Sequence, residues 1–400
     1  AVYLVWLARI SVGKADRFRG TALGLPIAVF MLLAMASFVA GLAHSYLDQY
    51  VVRHFAEVLL GIGLFFVIVN CVRTKQQLRV MIQVIILAGF AAALIGVVLY
   101  FVPTTWSVRL LSALGRVGYP TGAGVLRYVE DNPDLALRAI STSTDPNVLG
   151  GLLILVTTLT AGQFFARRPV IPKRAVAVMF VIDALCLYLT YSRGSMMGLA
   201  AGLGLLALIK YRRLLVLMVV AAGLLLLLPQ AQDYVQHFVE GIRFQDLATL
   251  MRLGEYKDAL ILISRHPWIG VGFVGTPESS LYIGVSMVYL LIAEEMGLIG
   301  LTAFLVVVGM FFRRVWLALP AVRKEEGMEA ILLGLATAVA GILVGGIFDH
   351  YFFNLNFPHS VSIFWIFLGL GMAAVHLGTR NGGEKDEARG RVAATEEFAV

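Results

Sequence analysis

The sequence predicts an all-α polytopic integral membrane protein with about 11–12 transmembrane helices and a mostly helical extracytoplasmic loop between two late spans. Composition is the first observation behind this. Of 400 residues, 59% are hydrophobic and only 14% charged, where a soluble domain averages about 25% charged. The mean hydropathy is +0.85, so the chain needs a solvent other than water. The second observation is that long apolar segments recur along the whole length. The third is that lysines and arginines gather in alternate connections.

Candidate spans are residues 21–43, 55–72, 80–102, 148–166, 175–189, 196–209, 214–229, 281–312, 331–348 and 361–377, and an apolar stub at 1–10 makes eleven. A helix needs about 20 residues to cross a core ~30 Å thick. The short segment 196–209 is therefore expected to borrow from its flanks, and 281–312 to project its first turns outside. The half-span at the start suggests that part of the natural N-terminus is missing, and no cleavable signal peptide is visible. Of the 32 Lys and Arg, only Arg53, Arg109, Arg116, Arg127, Arg138, Arg193, Arg243, Arg252, Lys257 and Arg265 fall in one alternating set of connections. The rest, including Arg73, Arg79, Arg167, Lys210 and Arg323, fall in the other. Basic short loops stay in the cytoplasm, which places the long loops 103–147 and 230–280 outside.

Residues 1–380 then form the membrane domain, and 381–400, polar and mixed in charge, a disordered cytoplasmic tail. Loop 230–280 is too short for an independent core and is expected to be helical around 246–264, resting on the bundle. The net charge of +7, so distributed, suits anionic lipid head groups rather than nucleic acid. Cys71 and Cys186 lie near or in apolar segments, which argues against a disulfide framework or a cysteine zinc site.

The outer loops carry the candidate chemistry. Arg193 sits between two apolar segments with almost no loop, at a depth where a charge should face a polar cavity or an anionic partner; interfacial snorkelling is the plainer reading. Arg252, Glu255, Tyr256 and Lys257 fall within one and a half helical turns, either as local ion pairs or with Arg252 reaching in beside Arg193. Arg265 and His266 precede Gly270, Gly272 and Gly275. This formal G-x-G-x-x-G lacks the strand and helix of a nucleotide site, so its glycines are expected to let the backbone pass close to a helix or substrate. His266 is a base or a turn residue. Glu278 is a base or a cap at the start of the 281–312 helix. Asp349 and His350 open an outer loop whose Tyr351, Phe352, Phe353 and Phe357 either hold sugar rings or anchor at the interface. Glu294 and Glu295 point about 100° apart, so at most one faces a given site. Asp183, in mid-span, should be paired or protonated, and Asp145-Pro146-Asn147 reads as a turn that starts a helix. No H-E-x-x-H, Walker A or G-x-S-x-G is present, so neither metal nor nucleotide is called for and no cofactor is expected.

Asp145-Pro-Asn-Val-Leu-Gly-Gly, Tyr191-Ser-Arg-Gly-Ser, Arg252 with Asp258-Ala-Leu, His266-Pro-Trp-Ile-Gly-Val-Gly and Glu294-Glu-Met-Gly-Leu-Ile-Gly-Leu occur in this order, followed by a late outer loop. In these pieces the chain resembles the bacterial O-antigen ligase and O-antigen polymerase family of membrane glycosyltransferases, over about residues 55–377. The resemblance implies inverting, metal-independent transfer of a glycan from undecaprenyl diphosphate, outside the cytoplasmic membrane, to a sugar hydroxyl on a glycan or lipid-A-core-type acceptor. It implies that Arg193 and Arg252 hold the diphosphate; Arg265 and Tyr256 join them as candidate diphosphate-binding residues on their place in the loop, and the residues themselves offer Glu278, His266, Asp349 and His350 as candidate bases. Ligases of the family carry a His-Asn pair where this chain reads Glu278-Ser279, so ligase and polymerase both remain open. A transporter using intramembrane Asp183 and Glu57 is the alternative from another class. It lacks the expected internal repeat.

Overall fold

The computed structural model describes residues 3–4, 6, 18–44, 48–227, 232, 239, 243, 247–275, 281–282, 284–325 and 327–397. The chain is an all-α polytopic membrane protein. Its helices are α1 (Gly24–Gly41), α2 (Gln49–Cys71), α3 (Lys75–Phe101), the short α4 (Thr104–Ser112), α5 (Pro146–Phe164), α6 (Lys173–Leu189), α7 (Arg193–Ile209), α8 (Arg212–Leu227), α9 (Leu247–Arg265), α10 (Val288–Val322), α11 (Met328–Gly345) and α12 (Pro358–Glu397). Two-residue strands β1 (Arg127–Tyr128) and β2 (Leu137–Arg138) pair antiparallel in the first long loop. Among the described residues, seven helices are long and apolar enough to cross a membrane, and α7 is a shorter apolar helix. Together with α6 and α8, these follow the ten segments read from hydropathy. The stub at 1–10 lies mostly outside the described residues. Residues 381–397, expected as a disordered tail, continue the helical path of α12.

Capping explains where several helices begin. Asp145 accepts from the Asn147 and Val148 amides at the start of α5, with Pro146 at its first turn. Thr74 and Gln77 form a capping box on α3, and Ser192 caps α7.

At the centre, α5 and α11 are buried on nearly all sides. α7 packs against α11 through two small-residue repeats, Gly198/Gly202 on one helix and Gly341/Gly345 on the other. A Cβ on Gly198 would lie 2.8 Å from the Gly341 carbonyl oxygen, and one on Gly341 would lie 2.7 Å from that of Gly198. In lipid, where apolar burial drives little association, such backbone contact is what holds helices together. It also brings the start of α7 against the chain leaving α11: a Cβ on Gly194 would meet Phe348 at 2.7 Å.

α10 is broken. Gly297 has φ 69° and ψ −179°, so the helical ladder stops there. Residues 267–272 replace its missing bonds. Leu298 N–H donates to the Pro267 carbonyl at 2.7 Å, while the Glu294 and Glu295 carbonyls accept from Val271 and Gly272, both at 2.9 Å. Ser37 of α1 donates to the carbonyls of Ile269 and Glu295. Gly270 and Gly272 have φ of 74° and 82°, and a Cβ on Gly270 would meet the Glu294 and Glu295 backbone at 2.5 Å. Gly270 and Gly272 of the G-x-G-x-x-G pattern thus serve close backbone passage. Glu294 and Glu295 are both buried beside this joint.

Two expectations are corrected. α10 begins at Val288, not near Leu281, because α9 captures the preceding backbone: Asp258 accepts from Tyr282 N–H at 3.2 Å and Glu255 from Ser286 N–H at 3.0 Å. The N-cap of that helix is Met287, and Glu278, read as a base or a cap, lies outside the described residues. Tyr351, Phe352 and Phe353 form neither an interfacial belt nor an exposed sugar platform. They are buried, with Phe352 stacked on Phe364 at 4.8 Å between ring centres and Phe353 tilted against Phe30.

The basic connections read as cytoplasmic meet at one end of the bundle. Lys75 pairs with Glu325 at 2.6 Å, Arg323 with Glu329 at 3.0 Å, and Lys210 with the same Glu329. The candidate polar residues lie at the other end. Glu57 pairs with Arg53 one turn away on α2 at 3.0 Å, whereas neither Asp183 oxygen has a hydrogen-bond partner among the described residues.

Candidate active site

A cavity opens at the end of the bundle opposite these ion pairs. It is lined by Val129, Glu130 and Arg138 from the first long loop, Asn147 from α5, residues 191–194 at the start of α7, Arg252 from α9, and Phe348 and Asp349 after α11. Three guanidiniums and one buried carboxylate thus share a space reached from five parts of the sequence.

Each cation has its own support. Arg193 opens α7 directly after the Ser192 cap, so the positive end of the helix dipole adds to its charge. Tyr191, just before it, has φ 52°, a left-handed backbone rare for a non-glycine side chain, and it turns the chain sharply from α6 into α7. Arg252 sits on the inward face of α9 with Glu255, Tyr256, Ala259 and Leu262, at helical spacing; Ala259 and Leu262 are fully buried. Arg138 is fixed from two sides, its Nε donating to the Thr190 carbonyl and its terminal nitrogen to Asn147 Oδ1, both at 2.7 Å. Ala139 N–H donates to the Leu189 carbonyl at 2.8 Å and ties the hairpin to the end of α6.

Asp349 is 9% exposed. His350 N–H donates to its Oδ1 at 2.8 Å, and the His350 Nδ1 lies 3.5 Å from the same oxygen. Burial pushes the Asp349 carboxyl above its ordinary range; His350 and Arg252 pull it back, and Asp145 pushes it further up. Tyr256 lies 3.5 Å from the Ile347 carbonyl through its hydroxyl, and its phenol is raised mainly by burial.

The structure brings Arg193, Arg252 and Asp349 to one cavity, with His350 and Tyr256 beside them. It does not bring Arg265 or His266 there. Thirteen residues of helix separate Arg252 from Arg265, about 20 Å at 1.5 Å per residue. Arg265 is exposed, and the His266 ring packs 6.0 Å from that of His44 at the end of α1. Sequence reasoning missed Arg138, Asn147 and Glu130. Arg138 stood among the outer arginines, but nothing in the sequence singled it out. Its place depends on bonds to Thr190 and Asn147.

The arrangement suits a phosphorylated substrate and proton removal. Planar guanidiniums bind phosphate oxygens in pairs. A half-buried setting strengthens them, and Asp349 provides a proton acceptor nearby. The family model described as O-antigen ligase matches residues 178–305, a stretch that holds Arg193, Arg252 and the 267–272 joint. Over these residues the chain is similar to the O-antigen ligase family. No curated protein matches the chain.

Proposed function

We propose that the protein is a metal-independent, inverting glycosyltransferase that moves a glycan en bloc from undecaprenyl diphosphate to a sugar hydroxyl on the outer side of the bacterial cytoplasmic membrane, as O-antigen ligases and polymerases do. The convergence of Arg138, Arg193 and Arg252 beside Asp349 carries this reading. The lipid diphosphate is the leaving group. As its bond to C1 breaks, the electron pair goes to the phosphate oxygen and negative charge grows there. The half-buried arginines and the start of α7 stabilise that charge. The acceptor hydroxyl forms the new bond to C1 from the opposite face, and its proton passes to Asp349, which burial has made more basic. A single displacement of this kind inverts the anomeric centre. The basic connections gathered at the other end of the bundle support the outward placement.

Reconstitution in lipid vesicles with an undecaprenyl-diphosphate-linked glycan tests the reading. Arg193→Ala and Arg252→Ala are each expected to lower transfer by ~30- to 1,000-fold, the size of a lost oxyanion donor of about 2–4 kcal/mol. Lysine at either position should restore only part, because a point charge cannot make the paired contact. Full transfer by both alanine variants would remove the diphosphate role.

A further inference from the structure

Glu130 lines the same cavity as the three arginines but has a different setting. It is exposed, whereas Asp349 is buried, so it belongs to the mouth of the cavity rather than its floor. Among the described residues, it enters no hydrogen bond or ion pair. Its wall is nonetheless firmly built. Glu130 and Asp131 both take left-handed backbone, at φ 54° and 53°, in the turn between β1 and β2. Val129 N–H donates to the Ala136 carbonyl at 3.0 Å, and Asn132 N–H to that of Val129 at 3.1 Å. Below the turn, Arg127 donates to the Thr144 carbonyl and Arg138 to that of Thr190. The turn thus presents an uncommitted carboxylate at a fixed place.

A carboxylate there opposes a diphosphate, which the arginines attract. It suits a neutral ligand rich in hydroxyls, since an ionised carboxylate is purely an acceptor and takes two O–H donors at once. The hairpin also lies outside residues 178–305, the segment that supplies Arg193 and Arg252. Two of the three arginines, Arg193 and Arg252, therefore come from a different part of the chain than this wall, whose own Arg138 is turned to Thr190 and Asn147.

We propose that Glu130 binds the acceptor, accepting hydrogen bonds from two neighbouring hydroxyls of the incoming sugar and selecting acceptors that carry such a pair. This rests on the glycan-transfer reading above. The test uses the full-length protein in vesicles with an undecaprenyl-diphosphate-linked glycan as donor. Aryl glycosides of glucose, galactose and mannose, with monodeoxy analogues of whichever is used best, serve as acceptors. Release of undecaprenyl diphosphate reports donor turnover independently of the sugar product. Glu130→Gln is expected to raise the acceptor KM ~10-fold, as for one lost hydrogen bond to a charged group, with the donor KM moving much less. Removing one of the paired hydroxyls should weaken the wild type by a similar factor and Glu130→Gln little further. Glu130→Asp, which keeps the charge on a shorter arm, should fall between. An unchanged acceptor KM, equal changes in both KM values, or donor turnover in the wild type that no sugar affects would each overturn the proposal. Absence of any donor turnover in the wild type would sink the transfer reading, and this proposal with it.

Discussion

Asp349 and Arg138 are the side chains whose roles the structure changes most. As a base, Asp349 must be ionised, so the rate should rise with pH and level off once its carboxyl has lost its proton. Because burial raises that carboxyl, the midpoint should lie above the ordinary carboxylate range. A stability measurement separates this role from a structural one. A carboxyl raised on folding stabilises the protein while protonated, and that contribution is lost as pH rises through its folded pKa. Asp349→Asn should therefore leave thermal stability at neutral pH unchanged or improved while transfer falls ~10²–10⁴-fold. Near-normal transfer by this variant, with loss in Glu278→Gln, would move the base to Glu278. Arg138→Ala should lower transfer as the other arginines do. It should also loosen the hairpin, since the Thr190 and Asn147 contacts go with it; faster proteolysis within residues 127–138 checks the second effect.

Among the helices, the crossing of α7 and α11 determines whether Arg193 and Asp349 meet. Gly341→Leu would drive a side chain into the Gly198 backbone, which cannot rotate away. It is expected to lower both the melting temperature in detergent and transfer. Gly204→Ala on the same α7 meets nothing within 4 Å and should change neither. The break in α10 makes a second point of the same kind. Gly297 has a backbone conformation that other residues avoid, and a Cβ there would lie 2.2 Å from the Trp268 carbonyl oxygen. Gly297→Ala should cost at least ~1–3 kcal/mol, read as a shift in thermal unfolding.

For the molecule as a whole, the structure divides the polar residues between two ends. Lys75, Lys210 and Arg323 are paired with glutamates at one end, and the arginine cavity lies at the other. With Cys71 replaced by serine, Asp134→Cys should react with an impermeant thiol reagent added outside intact cells, and Lys173→Cys only after permeabilisation. Both positions are exposed. The reverse pattern would invert the topology and with it the outward placement of the site.

Composition and hydropathy period were enough to establish a helical membrane bundle, because lipid leaves the backbone few ways to satisfy its own hydrogen bonds. The alternating basic connections were likewise legible, since each is a local property of a loop. Arg193 stood out because an arginine between two apolar segments is costly wherever it points, and Arg252 because it shares a helical face with Tyr256. The repeats Gly198/Gly202 and Gly341/Gly345 were present in the sequence, but which two helices they join is a matter of packing. Arg138 and Glu130 became part of the site only through a hairpin held to the end of α6 by the Ala139 amide and the Arg138 side chain. The buried aromatics after Asp349 looked interfacial because aromatic residues suit the membrane boundary and the bundle core equally well. Tertiary contact decided between those places: Tyr351 fills the gap left by Gly151, and Phe352 stacks on Phe364.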